Sequence, residues 1–97
     1  MIWSKWSTGV LGDSYDAKCI GIYVYHVYPA ESWLGGTRNI VYRCGLTASH
    51  DHVQWQPDSH YETVKDAQGV CEFHAIKVFL PQIKKEMEAF VNGSKIN

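Results

Sequence analysis

The sequence predicts an α+β fold, in which a small antiparallel sheet of three to four strands is followed by C-terminal helices packed on one face of the sheet. The first observation is that all Trp and Tyr residues lie within positions 1–61, whereas 12 of the 19 charged residues lie after position 48. Aromatic residues favour strands, and charged residues around an apolar stripe favour surface helices. The second observation is size: 97 residues bury one core, so we expect a single domain over residues 1–97.

The strongest strand pattern covers residues 20–28, where successive side chains fall alternately on two faces. Pro29 is expected to end this strand, because a proline cannot donate a hydrogen bond to the sheet. Gly35-Gly36 predicts a turn, with Trp33 and Leu34 at its tip. The other predicted strands are residues 39–46, a short segment at residues 52–56 and an edge strand at residues 3–6, ahead of a loop at residues 9–13.

A helix is predicted to begin at Thr63, which precedes Asp66 by three residues in a capping arrangement. The residues that then recur at steps of three and four, as on one helix face, are Val64, Ala67, Cys71, His74, Ala75 and Val78. The competing interpretation is a strand over residues 70–80, which are rich in β-branched and aromatic residues. We favour the helix because the stripe continues over four turns.

Pro81 is expected to kink or restart this helix. In residues 82–91 the charged side chains lie opposite an apolar side made of Ile83, Met87, Phe90 and Val91. Asn92-Gly93 then predicts the C-terminal stop.

The charge balance argues against two classes of binding partner. Nine Lys and Arg against ten Asp and Glu give a net charge of −1, so there is no electrostatic basis for binding nucleic acid or an anionic membrane. The longest charge-free run, residues 19–30, is well short of the roughly 20 apolar residues of a membrane span. The first residues also lack the pattern of a secretory signal, and we expect a cytoplasmic protein.

Three widely spaced cysteines, Cys19, Cys44 and Cys71, are expected to be reduced thiols, because disulfide-bonded small proteins carry denser, even sets. The main prediction is therefore no metal and no cofactor. The alternative is a zinc-stabilised domain, since thiolate and imidazole are zinc ligands. Its candidate ligands are His50, His52, Cys71 and His74.

Catalytic residues are not predicted, and we expect a protein that is not an enzyme. Ser49-His50-Asp51 contains the residue types of a hydrolytic triad, but consecutive residues of an extended chain point in alternate directions. The sequence also lacks a nucleophile elbow, a P-loop and a dinucleotide-binding glycine motif.

A second alternative is a sheet that binds single-stranded nucleic acid by stacking bases on Tyr23, Tyr25, Tyr42 and Trp55. Such a sheet needs cationic surroundings, and the first 48 residues hold no cluster of Lys or Arg. We favour packing of these rings against the helices, with no direct contact to nucleic acid.

Protein–protein recognition is the function that the composition favours. Ten Trp and Tyr side chains exceed what one small core is expected to hide, and these residues are enriched in interface hot spots. Trp33 and Trp55 are expected either to be exposed or to fold back over the sheet edge. The predicted partner-binding residues are Trp33, Trp55, Pro57, Tyr23 and Tyr25.

Three features together resemble small accessory proteins of temperate phages: the aromatic sheet, the helix entry Tyr61-Glu62-Thr63-Val64-Lys65-Asp66-Ala67, and Cys71-Glu72-Phe73-His74. Over residues 1–97 the chain looks like the anti-RecBCD family of lambdoid phages. The resemblance implies a non-enzymatic, phage-encoded protein that binds the host RecBCD recombination nuclease and modulates its activity. It further implies a host prolyl isomerase as a second partner, for which Gln56-Pro57-Asp58 is the most loop-like site.

Overall fold

The computed structural model describes residues 1–7, 10–49 and 52–95. Five strands form one antiparallel sheet in the order of the sequence, and a long helical segment follows. The strands are β1 (Ser4–Ser7), β2 (Asp13–Lys18), β3 (Tyr23–Leu34), β4 (Thr37–Ala48) and β5 (His52–Trp55); the helical segment comprises α1 (Val64–His74), a π-helical turn (Ala75–Phe79) and α2 (Leu80–Lys95). The α+β class is confirmed, with five strands rather than three or four.

β2 is absent from the sequence prediction, which places a loop at residues 9–13 and leaves the segment after it unassigned. Residue 9 lies outside the described residues, and β2 begins at Asp13. Two aspartates and a lysine within six residues interrupt the alternation of apolar and polar residues that predicts a strand. Only Ala17 of β2 is buried, so the strand has little apolar signal of its own.

Pro29 does not end β3, which continues five residues further and pairs Pro29 with Tyr42 of β4. The prediction is wrong because β2 pairs with β3 only as far as Val27. Beyond that point β3 lies at the edge of the sheet, where a proline is tolerated. β3 also starts later than predicted, at Tyr23, because Gly21 adopts a positive φ of 60° in the preceding turn.

The core lies between one face of the sheet and α1. Alternate residues of β2, β3 and β4 point to this face, and residues four apart on the helical segment meet them. In the described part of the chain no helix packs on the opposite face of the sheet, which is called the open face below. The buried core consists of Ala17, Tyr25, Val27, Cys44, Leu46, Ala67, Cys71, Ala75 and Phe79.

The predicted helix start is confirmed: Thr63 is the N-cap, and its hydroxyl accepts a hydrogen bond of 3.1 Å from the backbone N–H of Asp66. The strand alternative for residues 70–80 is wrong, since these residues are helical. The predicted disturbance at Pro81 takes the form of the π-helical turn that ends at Phe79. A widened turn gives the proline ring room against the preceding carbonyl groups.

Most of α2 extends past the sheet, contrary to the predicted helix packing, and only Ile83 of α2 packs against the core. α1 contacts β3 and β4, whereas α2 contacts the π-helical turn alone among these elements. The helix also continues through Asn92-Gly93 to Lys95, so the predicted stop is wrong. From Val64 to Lys95 the helical segment is about 48 Å long. No helix in the described part of the chain is long and apolar enough to span a membrane.

Candidate interaction surfaces

The first candidate surface is the end of the β3–β4 hairpin, residues 30–41, called the hairpin arm. The two strands remain paired from Ala30↔Val41 to Leu34↔Thr37, at positions beyond the pairing of β3 with β2. At about 3.4 Å per residue, these five pairs extend roughly 14 Å from the first pair to the last. The arm is therefore regular structure that projects from the sheet.

The tip of the arm presents two large apolar side chains. Trp33 is 65% exposed and Leu34 is 75% exposed. Gly35 and Gly36 close the hairpin with φ values of 59° and 80°, which a two-residue turn between twisted strands requires. The predicted turn and the exposed alternative for Trp33 are both confirmed.

A cross-strand ion pair stiffens the arm close to the tip. The Arg38 guanidinium lies 2.7 Å from a carboxylate oxygen of Glu31, and Arg38 is also the register partner of Trp33. The pair is partly exposed and contributes little stability, but it bridges the two strands next to the tip.

The second candidate surface lies on α2 and is called the helix stripe: Leu80, Ile83, Met87 and Val91. These residues recur at steps of three and four and line a groove of about 580 Å³ together with Ile20 of the β2–β3 turn. Met87 is 58% exposed, and only Ile83 packs against the core. The stripe thus continues the apolar face of α1 past the end of the sheet.

The helix stripe is absent from the predicted partner-binding residues, although its spacing is visible in the sequence. An apolar side of residues 82–91 is predicted there, but as a face that packs on the sheet. Only the position of α2 relative to the sheet shows that this face remains exposed.

Trp55 folds back over the sheet, which is the second of its two predicted alternatives. Its indole lies on the His74 imidazole, with ring centroids 3.9 Å apart and planes 12° apart. Tyr25 is fully buried, and its hydroxyl forms a 2.8 Å hydrogen bond with His74 Nδ1. Tyr23 is half-buried against Phe79. Of the predicted contact residues, Tyr25 is therefore a core residue, while Trp55 and Tyr23 are largely occupied by intramolecular packing.

The burial of these rings also argues against the alternative function of binding single-stranded nucleic acid. Its four stacking residues, Tyr23, Tyr25, Tyr42 and Trp55, belong to the buried core or pack against it. They lie on the helix-covered side of the sheet and are not available as a stacking platform. Pro57 is half-buried in the segment after β5. Because Pro29 lies in β3 and Pro81 in α2, Gln56-Pro57 is confirmed as the X-Pro site outside regular structure.

The proposed zinc ligands do not converge in the part of the chain that the structure describes. His50 lies outside the described residues, His52 is exposed on β5, and His74 is engaged by Tyr25. Among described residues there is no group of three or more His, Cys, Asp or Glu side chains that could hold a metal ion.

All three cysteines are free thiols, and Cys44 and Cys71 are buried next to one another in the core. The Cys71 thiol donates a hydrogen bond to Cys44; this bond and burial raise the pKa of Cys71, while the same bond lowers the pKa of Cys44. Burial raises the pKa of Cys19. A protonated thiol is a poor nucleophile and a poor metal ligand. Cys19 and Cys71 therefore behave as small apolar side chains.

The fold and these surfaces define a small α+β protein with two projecting apolar elements, a hairpin arm and a helix. No family model, no curated protein and no solved structure matches the chain.

Proposed function

We propose that the protein is a binding module that attaches to a large host enzyme complex through its hairpin arm. The observation that carries this function is the exposed Trp33–Leu34 tip at the end of a regular, ion-paired hairpin. An aromatic anchor on an ordered element loses little conformational entropy on binding. The arm has the length to enter a cleft rather than to lie on a flat surface.

The proposed partner is the host RecBCD recombination nuclease, and the proposed place of action is the host cytoplasm. The support for this partner is the resemblance to the anti-RecBCD family together with the near-zero net charge. A chain of this charge gains little from phosphate contacts, so contact with the enzyme is favoured over contact with its DNA. Pro57 is the proposed site for a host prolyl isomerase, because it lies outside helix and strand.

Binding of the full chain to purified RecBCD, measured by surface plasmon resonance, tests this function. We expect Trp33→Ala to weaken binding by about thirtyfold, since loss of an aromatic hot spot costs about 2 kcal/mol. Trp6→Ala is the matched control, because Trp6 is 57% exposed but lies on the edge strand β1. It should change the affinity by less than about threefold.

Two outcomes contradict separate parts of the function. If the unmodified chain does not bind RecBCD at micromolar concentration, the partner is wrong. If it binds but Trp33→Ala and Trp6→Ala have equal effects, the arm is not the anchor. Met87→Lys then examines the helix stripe as the alternative contact, because a charge on that stripe disfavours burial against any partner.

A further inference from the structure

Three side chains on the open face of the sheet form a continuous chain of hydrogen bonds. Asp16 of β2, His26 of β3 and Thr47 of β4 come from three neighbouring strands. His26 Nδ1 lies 2.7 Å from Asp16 Oδ1, and His26 Nε2 lies 2.7 Å from Thr47 Oγ1. The carboxylate can only accept, so in the neutral imidazole Nδ1 carries the proton and Nε2 accepts the hydrogen bond of the Thr47 hydroxyl.

The three groups are those of a catalytic triad: Thr47 offers a hydroxyl, His26 a general base, and Asp16 a carboxylate that orients the base. The groups are accessible, because His26 and Asp16 each expose about a third of their side chains. The strand register accounts for the arrangement: Asp16 and His26 are directly paired, and Thr47 lies two residues from the partner of His26 on the same face. The pairing of β4 with β5 also shifts register between Leu46 and Thr47, and such irregularities are over-represented next to active sites.

The three side chains line a cavity of about 300 Å³. Tyr28 and Gln56 line the same cavity, and the Gln56 side-chain amide donates a 2.7 Å hydrogen bond to the Tyr28 oxygen. The Tyr28 hydroxyl keeps its own hydrogen for donation to a ligand in the cavity.

Gly45 forms part of the cavity wall and pairs with His26. A Cβ at this position would lie 3.1 Å from the backbone carbonyl oxygen of Trp55 and 3.8 Å from the side chain of Gln56. The absence of a side chain therefore lets the end of β5 approach β4 closely at the wall of the cavity.

We infer that this cavity is an acyl-transfer site that takes small carboxylic esters, with Thr47 as the nucleophile and His26 as the general base. Asp16 is a positioning residue. This activity is separate from partner binding by the hairpin arm.

The reaction balances without a cofactor. Thr47 Oγ forms a bond to the ester carbonyl carbon and gives its proton to His26 Nε2, while the carbonyl oxygen becomes negative. The bond from carbon to the alcohol oxygen breaks, and the leaving alcohol takes the proton from Nε2. Water then gives a proton to Nε2 and attacks the acyl carbon; the bond from that carbon to Thr47 Oγ breaks, and Oγ takes the proton back from Nε2. This releases the carboxylic acid and free Thr47.

The test uses the full chain and p-nitrophenyl acetate, with nitrophenolate release followed by absorbance and acid-quenched protein examined by peptide mass spectrometry. We expect one acetyl group on Thr47, and a loss of release rate of at least about 100-fold in Thr47→Val and in His26→Gln. Thr47→Ser should retain the acetyl group and most of the rate. Asp16→Asn should lower kcat with little change in KM, which a merely structural role would not produce.

Ser7→Ala removes an exposed hydroxyl on the edge strand β1; it is the control and should react like the unmodified chain. If Thr47→Val releases nitrophenolate at the original rate, free imidazole groups are responsible and the acyl-transfer site is wrong. A variant that loses its cooperative melting transition is unfolded, and its low rate is then uninformative. In that case the rate of Thr47→Ser and the acetylation of the unmodified chain decide whether Thr47 is the nucleophile. An unmodified chain without acetyl-Thr47 overturns the inference.

Discussion

The indole of Trp55 stacks on the imidazole of His74, with ring centroids 3.9 Å apart. This contact joins the short strand β5 to the C-terminal end of α1. His74 also receives the hydroxyl of Tyr25, whose pKa is raised by burial, so that the hydroxyl remains a donor. The three side chains therefore link the last strand, the helix and the centre of the sheet.

Truncation of Trp55 should destabilise the fold, whereas truncation of Trp33 should not. We expect Trp55→Ala to lower the free energy of unfolding by about 2–3 kcal/mol, because it removes a packed ring beside the core. For a domain of this size that is a decrease in melting temperature of roughly 10–20 °C. Trp33→Ala should stay within about 0.5 kcal/mol of the unmodified chain. Equal melting temperatures for the two variants would contradict the assignment of Trp55 to the folded core.

Stability should decrease below about pH 6.5 in part through His74. Burial lowers the pKa of His74, so the unfolded chain, with a pKa near the ordinary value of about 6.5, takes up a proton before the folded chain does. The contribution is complete above pH 6.5 and is lost as the pH falls toward the lower folded pKa. Urea unfolding between pH 7.5 and pH 5 should show a smaller decrease for His74→Gln than for the unmodified chain.

His60→Gln controls for the removal of one imidazole, since His60 is exposed in the segment before α1. If the stability of His74→Gln depends on pH as strongly as that of the unmodified chain, the prediction that His74 has a lowered pKa is wrong.

Loss of the Thr63 cap should destabilise α1. Thr63→Ala leaves the Asp66 backbone N–H without its side-chain acceptor and should cost about 1 kcal/mol in the free energy of unfolding. Thr63→Ser retains the hydroxyl and should cost only a few tenths of that amount. Chemical denaturation measures both variants, and equal midpoints for Ala and Ser would show that the cap contributes nothing.

Substitution of Gly45 should disturb β5. In Gly45→Ala the new Cβ would lie 3.1 Å from the Trp55 carbonyl oxygen, and this backbone atom must move to accommodate it. We expect a cost of about 1–3 kcal/mol and faster amide hydrogen exchange in His52–Trp55. Gly69→Ala, where a Cβ meets no other atom within 4 Å, is the control and should stabilise the exposed helix position. Unchanged exchange in β5 would contradict the close approach.

The sequence alone predicts the features that depend on neighbouring residues. The cap at Thr63, the Gly35-Gly36 turn and the alternation in β3 follow from hydrogen bonds and steric limits within a few residues. The helix in residues 70–80 follows from periodicity, which outweighs the β-branched composition because residues four apart reach one core face. The α+β class follows from these local patterns.

The tertiary structure alone decides which apolar residues stay exposed to solvent and which residues from distant parts of the sequence come into contact. Pro29 is tolerated only because the pairing of β2 with β3 stops at Val27. The helix stripe stays exposed only because α2 extends beyond the end of the sheet. The Asp16–His26–Thr47 chain joins residues separated by 10 and 21 positions, which no spacing motif predicts. Strand register brings them together, and register depends on how the whole sheet buries its apolar face rather than on any one segment.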